Sequence, residues 1–451
     1  RVMEQVLAIK PDIVFLWDEA WFAFAGFSYI LRQRTAMHVA AKLHRKYKTD
    51  EYKAEYAAHI KSLKKGEEPR LPDPTKVRIR TYATQSTHKT LTSFRQGSMI
   101  HIWDEDFKRK SEAAFHEAYM THTSTSANYQ ILASMDVGRR QVEFEGYELV
   151  EKAMELGLLL RRTIRENERL QKWFDIITIA DLIPAEHRQS GLEHYYRKDK
   201  GWNDIEKAWA EDEFAVDPTK INLYTGKTGI DGDTFKNVYL MDKHAIQINK
   251  TSRNSVLFMT NIGTTRGSLA YLTKVLLQIA DELEERNAGM EREDKLMHID
   301  KLRDLKDLEK YPPLPDFSSF HTSFQGQPGV PGGDIRSAYF LAYKEERCRY
   351  VKLEPALAEL RNGQPLVSAS FVIPYPPGFP VLVPGQVINK EIIDFLIAID
   401  VKEIHGYRPE LGLRVFTDAA MGRQKTGTAM GGMRVISPTT KGSSSTKKKR
   451  S

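Results

Sequence analysis

The sequence has very little cysteine and no long apolar segment. Its 451 residues include one cysteine, Cys348, so no disulfide can form within the chain, which is typical of proteins from a reducing compartment. No apolar run approaches the roughly 20 residues needed to cross a bilayer, and no signal peptide is recognisable. From these absences we expect a cytoplasmic protein that does not contact a membrane.

The sequence also lacks a strong overall charge and a metal-binding pattern. The net charge is +7, and the terminal run Lys447-Lys448-Lys449-Arg450 contributes to it, so the remainder is only mildly basic. We find no RNA-binding motif and no set of His and Cys residues at ligand spacing. We therefore expect no nucleic-acid partner and no metal, and we interpret the basic run as a solvated tail.

A lysine that follows a predicted strand is the first candidate for chemistry. The alternating run from Val77 to Ala83 predicts a strand, and it leads into Thr84-Gln85-Ser86-Thr87-His88-Lys89. A lysine amine that is held in place and partly desolvated can attack a carbonyl carbon and form a Schiff base. The hydroxyl groups of Ser86 and Thr87, with the N–H groups of the turn, could hold a phosphate. From this segment alone, an ordinary surface loop is the alternative.

An acidic residue follows a second predicted strand. Ile13-Val14-Phe15-Leu16-Trp17 is a short continuous apolar run, which predicts a strand buried on both faces of a parallel sheet. Asp18 comes at its carboxyl end, where ligands bind in open α/β sheets. A carboxylate there can keep the ring nitrogen of a pyridoxal phosphate cofactor protonated. Asp18 could instead cap the next helix or, with Glu19, ligate a metal.

Together these motifs resemble those of the pyridoxal-phosphate-dependent ornithine/lysine/arginine decarboxylases of the bacterial, fold-type-I kind. The resemblance extends from the first residues to about Phe416. The blocks that carry it are Trp17-Asp18-Glu19-Ala20-Trp21, Gln85-Ser86-Thr87-His88-Lys89, Gln96-Gly97-Ser98-Met99-Ile100-His101, His122-Thr123-Ser124-Thr125-Ser126 and the proline-rich segment from Ile373 to Gly385. It implies an α/β fold with an aspartate aminotransferase-like large domain, a small α/β domain and a C-terminal decarboxylase domain.

The resemblance assigns four residues to the cofactor ring. Lys89 would carry pyridoxal 5'-phosphate as a Schiff base, and Asp18 would pair with the pyridine nitrogen. Ala20 would pack against the ring, and Trp21 would line the site.

Three further residues are assigned to the cofactor phosphate. Ser86 and His88 would contact it, and His88 is a catalytic candidate together with Lys89 and Asp18. Ser124 would reach the phosphate bound by the neighbouring subunit, although the family more often has threonine at this position. The resemblance therefore implies a homodimer, or a larger homo-oligomer, with shared active sites.

Composition and the resemblance together divide the chain into four parts. We expect the C-terminal half of the large domain at 1–145, the small domain at 146–310, the C-terminal domain at 311–418 and a disordered basic tail at 419–451. Family members carry an upstream phosphate-cradling loop and a ring-stacking histidine, and neither is found here. We therefore expect the C-terminal portion of a longer protein, and we expect the 451-residue chain alone to bind the cofactor weakly.

Residue patterns predict further elements along the chain. The predicted helical segments are 1–10, 36–66, 107–119, 129–140, 149–170 and 269–285. The predicted strands are at 98–103, 217–224, 245–250 and 255–260. Residues 374–384 contain many prolines, which predicts a rigid extended segment.

The function implied by the resemblance is decarboxylation of arginine, lysine or ornithine to the corresponding amine and carbon dioxide. A fold-type-I aminotransferase is one alternative, and it would need an arginine such as Arg253 to hold the substrate carboxylate. An inactive or regulatory relative is the other alternative.

Overall fold

The computed structural model describes residues 1–195, 205–248, 250–306, 313–325, 333–374, 380–398 and 404–422. The chain forms two compact units, Arg1–Asp307 and Leu308–Ser451. The expectations for residues 375–379 of the proline-rich segment and for the tail beyond residue 422 lie outside the described residues.

The first part of the first unit is a small sheet with helices packed against it. Strand β1 pairs in parallel with β2, and β2 pairs antiparallel with β3, so β2 is the central strand. The elements are α1 (Val2–Ile9), β1 (Val14–Asp18), α2 (Ala36–Lys46), α3 (Asp50–Ser62), β2 (Arg80–Ser86), α4 (Thr87–Thr90), β3 (Ser98–Asp104), α5 (Glu112–His122) and α6 (Tyr129–Glu166). They are joined by 3-10 helices at Ala23–Phe27 and Leu31–Arg34 and by a π-helix at Phe107–Ser111.

The predicted strand around Val14 exists, but the expectation that both of its faces are buried is wrong. Phe15 is buried against α1 and α2, whereas Val14 is 46% exposed and Leu16 is 72% exposed. The physical reason is that no described element covers the face of the sheet that carries Val14 and Leu16.

Strand β2 starts and ends later than the alternating pattern predicted. Residues Val77 to Ile79 precede the strand, and Thr84 to Ser86 belong to it rather than to a turn. Its side chains alternate in burial along the whole strand, with Thr81, Ala83 and Gln85 on the buried side. This alternation places Gln85 inside the protein and Ser86 on the opposite face.

The helix predicted for residues 36–66 is divided into two. Helix α2 ends at Lys46. Thr49 is the N-cap of α3, and its side chain accepts a hydrogen bond from the N–H of Tyr52. A favourable helical composition continues across the break, but the threonine cap ends one helix and starts another.

The second part of the first unit packs a four-stranded antiparallel sheet, ordered β4-β5-β7-β6, against α6 and α11. Its fully buried core includes Leu160, Ile221 and Ile279. The elements are α7 (Glu168–Trp173), β4 (Asp175–Ile176), α8 (Ile179–Leu182), α9 (Ile205–Glu211), β5 (Lys220–Tyr224), α10 (Gly232–Thr234), β6 (Lys250–Thr251), β7 (Ser255–Met259), α11 (Arg266–Gly289) and α12 (Arg292–Lys306). They are joined by 3-10 helices at Ala185–His187 and Gly226–Thr228 and by a π-helix at Phe235–Asp242.

The strand predicted for residues 245–250 is wrong over most of its length. Residues 245–248 have no regular secondary structure, and β6 begins only at Lys250. Ala245 has a φ of 54°, a left-handed conformation that ends the preceding helical segment and prevents an extended strand from starting there.

The described residues of the second unit form three small antiparallel sheets. In these sheets β14 lies between β13 and β8, β11 pairs with β9, and β10 pairs with β12. The core of this unit includes Val372, Ile388, Ile392 and Val415. The elements are α13 (Ile335–Ala342), β8 (Cys348–Val351), α14 (Leu353–Arg361), β9 (Leu366–Val367), β10 (Ile373–Pro374), β11 (Val387–Ile388), α15 (Lys390–Ala398), β12 (Ile404–His405), β13 (Tyr407–Arg408) and β14 (Gly412–Phe416). Short 3-10 helices lie at Thr322–Phe324 and Glu345–Arg347. Across the described ranges of both units, every helix is too short or too polar to cross a membrane.

Candidate active site

Lys89 lies just beyond the carboxyl end of the central strand. Strand β2 ends at Ser86, and the one-turn helix α4 carries Lys89 as its third residue. The side chain is half-buried and lines a cavity of about 680 Å³. It has no hydrogen bond or ion pair with any residue in the described ranges, so its amine is available to a ligand.

Asp18 is the last residue of β1, the strand that runs parallel to β2. It pairs in register with Thr84, so Asp18 and Lys89 follow the same end of two adjacent strands. The Oδ1 atom of Asp18 accepts a hydrogen bond from the N–H of Ala20 at 2.9 Å, whereas Oδ2 has no partner among the described residues. The 3-10 helix after this turn has Phe22 at its N-cap, so Asp18 stabilises a turn and does not cap a helix.

Trp21 connects the Asp18 turn to Lys89. The Nζ atom of Lys89 lies 5.9 Å from the centroid of the Trp21 ring, a distance at which a cation and an aromatic ring attract each other. This contact brings together two residues, Trp21 and Lys89, that are far apart in the sequence.

A buried hydrogen-bond chain links three of the sequence motifs, and sequence reasoning missed it. Glu19 is buried, and its Oε1 accepts from the N–H of Ala36 at 2.6 Å while its Oε2 accepts from the Gln85 side chain at 2.8 Å. The other end of the Gln85 amide lies 3.1 Å from Nε2 of His101. Each of Glu19, Gln85 and His101 belongs to a different motif, and the chain fixes the ends of the strands that carry Asp18 and Lys89.

The residues beside Lys89 divide into those that are engaged and those that are available. Thr87 is buried, its N–H donates to the Gly97 carbonyl at 3.1 Å, and its hydroxyl lies 2.7 Å from that of Ser93. The structure therefore differs from the expectation that Thr87 holds an anion, because both of its polar groups serve the turn. Ser86 is half-buried and its hydroxyl has no partner in the described chain.

His88 is held by the same turn. Its Nδ1 lies 2.9 Å from the Gly97 carbonyl oxygen, and because a carbonyl only accepts hydrogen bonds, Nδ1 carries a proton. The ring orientation is thereby fixed, and Nε2 is left for another partner. Donation from Nε2 to a phosphate requires both ring nitrogens to be protonated.

Of the seven predicted site residues, all of which the structure describes, Lys89 alone lines the cavity. Ser124 is exposed in the loop between α5 and α6, where its hydroxyl accepts from the N–H of Ser126 at 3.0 Å, and it does not line the cavity. Arg253 lies in the turn between β6 and β7 and does not line the cavity either. Within the described residues, no cluster of three or more His, Cys, Asp or Glu side chains could hold a metal.

The geometry fits pyridoxal phosphate. Among the described residues, an amine without a partner and a carboxylate with an unpaired oxygen lie at the carboxyl ends of two adjacent parallel strands, and Ser86 and His88 are close to the amine in sequence. A lysine that can form a Schiff base and a carboxylate that can pair with a ring nitrogen are the two groups that a protein supplies to this cofactor.

Comparison with known proteins identifies the family. Residues 38–268 match the profile described as Orn/Lys/Arg decarboxylase, major domain, and residues 339–413 match that of the C-terminal domain. The chain belongs to the Orn/Lys/Arg decarboxylase family. Lys89 lies inside the first matched range, and Asp18 lies upstream of it.

Curated decarboxylases are similar to the chain in sequence, and a solved structure has a similar fold. The chain is 26% identical to the constitutive lysine decarboxylase of Escherichia coli, over 70% of this chain and 45% of that protein. It is 25% identical to the lysine decarboxylase LdcA of Pseudomonas aeruginosa, over 88% of this chain and 50% of that protein. The crystal structure of the Francisella novicida lysine decarboxylase LdcF has a similar fold, with a TM-score of 0.55 and 24% identity, covering 89% of this chain and 53% of that one. The chain thus spans about half the length of the relatives it matches.

Proposed function

We propose that the protein decarboxylates a basic amino acid (arginine, lysine or ornithine) to the corresponding amine and carbon dioxide, with pyridoxal 5'-phosphate as cofactor. The observation that carries this proposal is that Asp18 and Lys89 lie at the carboxyl ends of two adjacent parallel strands. The chain that carries them belongs to the decarboxylase family. The family includes enzymes for all three amino acids, so the proposal stops at this substrate class.

Each site residue has a physical role in the proposal. Lys89 would hold the cofactor through its Nζ, and the free oxygen of Asp18 would accept a hydrogen bond from the protonated ring nitrogen. The bound cofactor supplies an electron sink for the bond between Cα and the carboxylate. Ala20 would pack against the cofactor ring, and Trp21 would line the site. Lys89 is also the amine on the cavity wall that can deliver a proton to the product Cα.

The proposed phosphate contacts follow from the fixed turn after β2. Ser86 offers a hydroxyl without a protein partner, and the imidazole of His88 is oriented by the Gly97 carbonyl at 2.9 Å. Because the His88 ring is oriented before a ligand arrives, little ordering entropy of that side chain is lost when an anion binds.

We propose further that the protein is a cytoplasmic homodimer in which Ser124 contacts the partner's cofactor. Helix α6 exposes a stripe of large apolar side chains next to the Ser124 loop, namely Tyr129, Leu132, Val137, Phe144 and Tyr147. Single exposed apolar residues are ordinary, but a stripe along one helix is typical of an interface. A second copy of the chain is the partner that the proposal specifies.

The proposal is tested by incubating the purified full-length protein, loaded with pyridoxal phosphate, with carboxyl-labelled lysine, ornithine and arginine. Release of labelled carbon dioxide and the matching amine from at least one substrate is expected, and Lys89→Ala is expected to abolish it. Formation of a keto acid without carbon dioxide would instead support the aminotransferase alternative. The absence of any reaction, with the cofactor bound, would support an inactive relative.

A further inference from the structure

The charges of the Lys89 cavity point to a ligand group. The two ionised side chains on its wall are Lys89 and Arg95, and none of the described residues that line it is an aspartate or a glutamate. Its other polar groups are uncharged and include Gln247, Asn261, Ser268 and Tyr271. A partly enclosed cavity with two cations and no carboxylate favours an anion.

Helix α11, whose first turn also lines the cavity, increases this preference. It has 24 residues and begins at Arg266, with Thr265 as its N-cap. The cavity reaches Thr264 and Ser268 at this end, so the positive end of the helix dipole faces the same space.

Arg95 has no partner within the described protein. It is exposed on the cavity wall, and none of its guanidinium N–H groups donates to another described residue. Guanidinium groups form two parallel hydrogen bonds with a carboxylate, which are among the stronger hydrogen bonds in proteins. A guanidinium without a described partner, on the wall of the cavity that Lys89 also lines, is therefore suited to hold a planar anion.

The backbone around Arg95 is fixed at some conformational cost. Gln96 has a φ of 73° and Ala245, on the far wall of the cavity, has a φ of 54°, and they are the two non-glycine residues with positive φ in the described chain. The N–H of Phe94 donates to the Ser134 hydroxyl of α6 at 3.0 Å. Strained backbone of this kind is concentrated at functional sites, and here it sets the position from which Arg95 reaches the cavity.

We infer that Arg95 is a substrate-binding residue that holds the α-carboxylate of the amino acid in the Lys89 cavity. The inference rests on the proposed function and adds the residue that orients the bond to be broken. The cavity wall offers no carboxylate to the cationic tail of a basic amino acid, so the α-carboxylate is the part of such a substrate that this cavity holds.

The test compares ligands that differ by the carboxylate alone. Calorimetry measures the affinity of each amino acid and of the amine that lacks its carboxylate: lysine with 1,5-diaminopentane, ornithine with 1,4-diaminobutane, and arginine with 4-guanidinobutylamine. The full-length protein carries the cofactor reduced onto Lys89 with borohydride, which keeps the cofactor in place and prevents turnover. Inorganic phosphate is titrated as a third kind of probe. Arg95→Gln is the test variant, and Arg266→Gln is the matched control, because Arg266 lies at the start of α11 but not on the cavity wall.

For the amino acid that binds most tightly, Arg95→Gln is expected to lower the affinity by about tenfold or more, as the loss of a charge-assisted pair implies. The affinity for the matching amine is expected to change by less than about twofold. Arg95→Lys keeps the charge but not the paired geometry, so an intermediate loss is expected. The Arg266→Gln control is expected to bind every probe with the same affinity as the protein that keeps both Arg95 and Arg266.

Three results would overturn the inference: an equal loss of amino acid and amine binding, no loss of either, or a loss confined to phosphate, which would make Arg95 a site for inorganic anions. Failure of the proposed function is seen separately. If the protein releases no carbon dioxide but Arg95→Gln still removes its preference for the amino acid over the amine, the carboxylate site stands and decarboxylation does not.

Discussion

Gln85 is the residue through which the three motifs around the candidate site are connected. Its amide donates to Glu19 and lies within hydrogen-bond distance of His101. No local sequence pattern shows this chain, because the three residues are far apart in sequence and meet only when β1, β2 and β3 pair. The motif positions of Asp18 and Lys89 could be predicted, but the contacts that hold them in register could not.

Replacement of Gln85 by leucine leaves the buried Glu19 carboxylate with one partner fewer. We expect the free energy of unfolding to fall by about 2 kcal/mol, because an unpaired buried polar group loses hydration without compensation. Urea denaturation measures this change. Gln5→Leu, on the exposed face of α1, is the control and is expected to change stability by less than about 0.5 kcal/mol. Equal effects of the two substitutions would contradict the role given to Gln85.

Asp106 makes stability depend on pH at the other end of the same sheet. Hydrogen bonds from Lys110, and then from Arg78 and Arg109, hold the pKa of Asp106 well below its usual value of 3.8, against the effect of burial. A carboxyl group with a depressed folded-state pKa adds stability that is complete above the unfolded pKa and is lost as the pH falls through the folded pKa.

We therefore expect Asp106→Asn to destabilise the protein more at pH 7 than at pH 3, as measured by urea denaturation at both values. The exposed pair of Asp300 and Arg303 provides the control, because Asp300→Asn is expected to change stability by less than about 0.5 kcal/mol at either pH. A difference between wild type and Asp106→Asn that does not shrink toward acid pH would exclude this role for Asp106.

At the scale of elements, residue patterns predicted long, regular segments better than segments whose form depends on a single contact. Helix α1, strand β3, strand β7 and helix α11 occur where they were predicted. The break at Thr49 and the irregular residues 245–248 were missed, since a cap and one left-handed residue decide them. The exposed face of β1 was missed because an apolar run does not show whether another element covers each face of the strand.

The contact between α6 and the Arg95 turn depends on a glycine. A Cβ atom on Gly138 would lie 2.0 Å from the carbonyl oxygen of Thr92, so α6 approaches this turn closely only because position 138 has no side chain. We expect Gly138→Ala to lower the free energy of unfolding by about 1–3 kcal/mol, measured by urea denaturation. Gly289→Ala is the control, because no atom lies within 4 Å of its Cβ position, and it is expected to be neutral or slightly stabilising. Similar losses in both variants would exclude a steric cause.

At the scale of the whole molecule, the exposed apolar stripe of α6 is proposed to be covered by a second copy. Val137 is 69% exposed and Phe144 is 74% exposed, so introducing glutamate at both positions disturbs little within one chain but places charge in the proposed interface. We expect the double substitution to convert the dimer to a monomer in sedimentation velocity experiments. Leu296→Glu, at an exposed apolar position of α12, is expected to leave the dimer intact. An unchanged sedimentation coefficient in the double variant would contradict the proposed interface.

The central claim is that Lys89 is the lysine that binds the cofactor. It is tested most directly by adding pyridoxal phosphate to the full-length protein, reducing the Schiff base with borohydride and locating the modified lysine by peptide mass spectrometry. We expect the label on Lys89, with little on any other lysine, and no specific label in Lys89→Ala. A label that falls on another lysine while Lys89 stays unmodified would contradict the account.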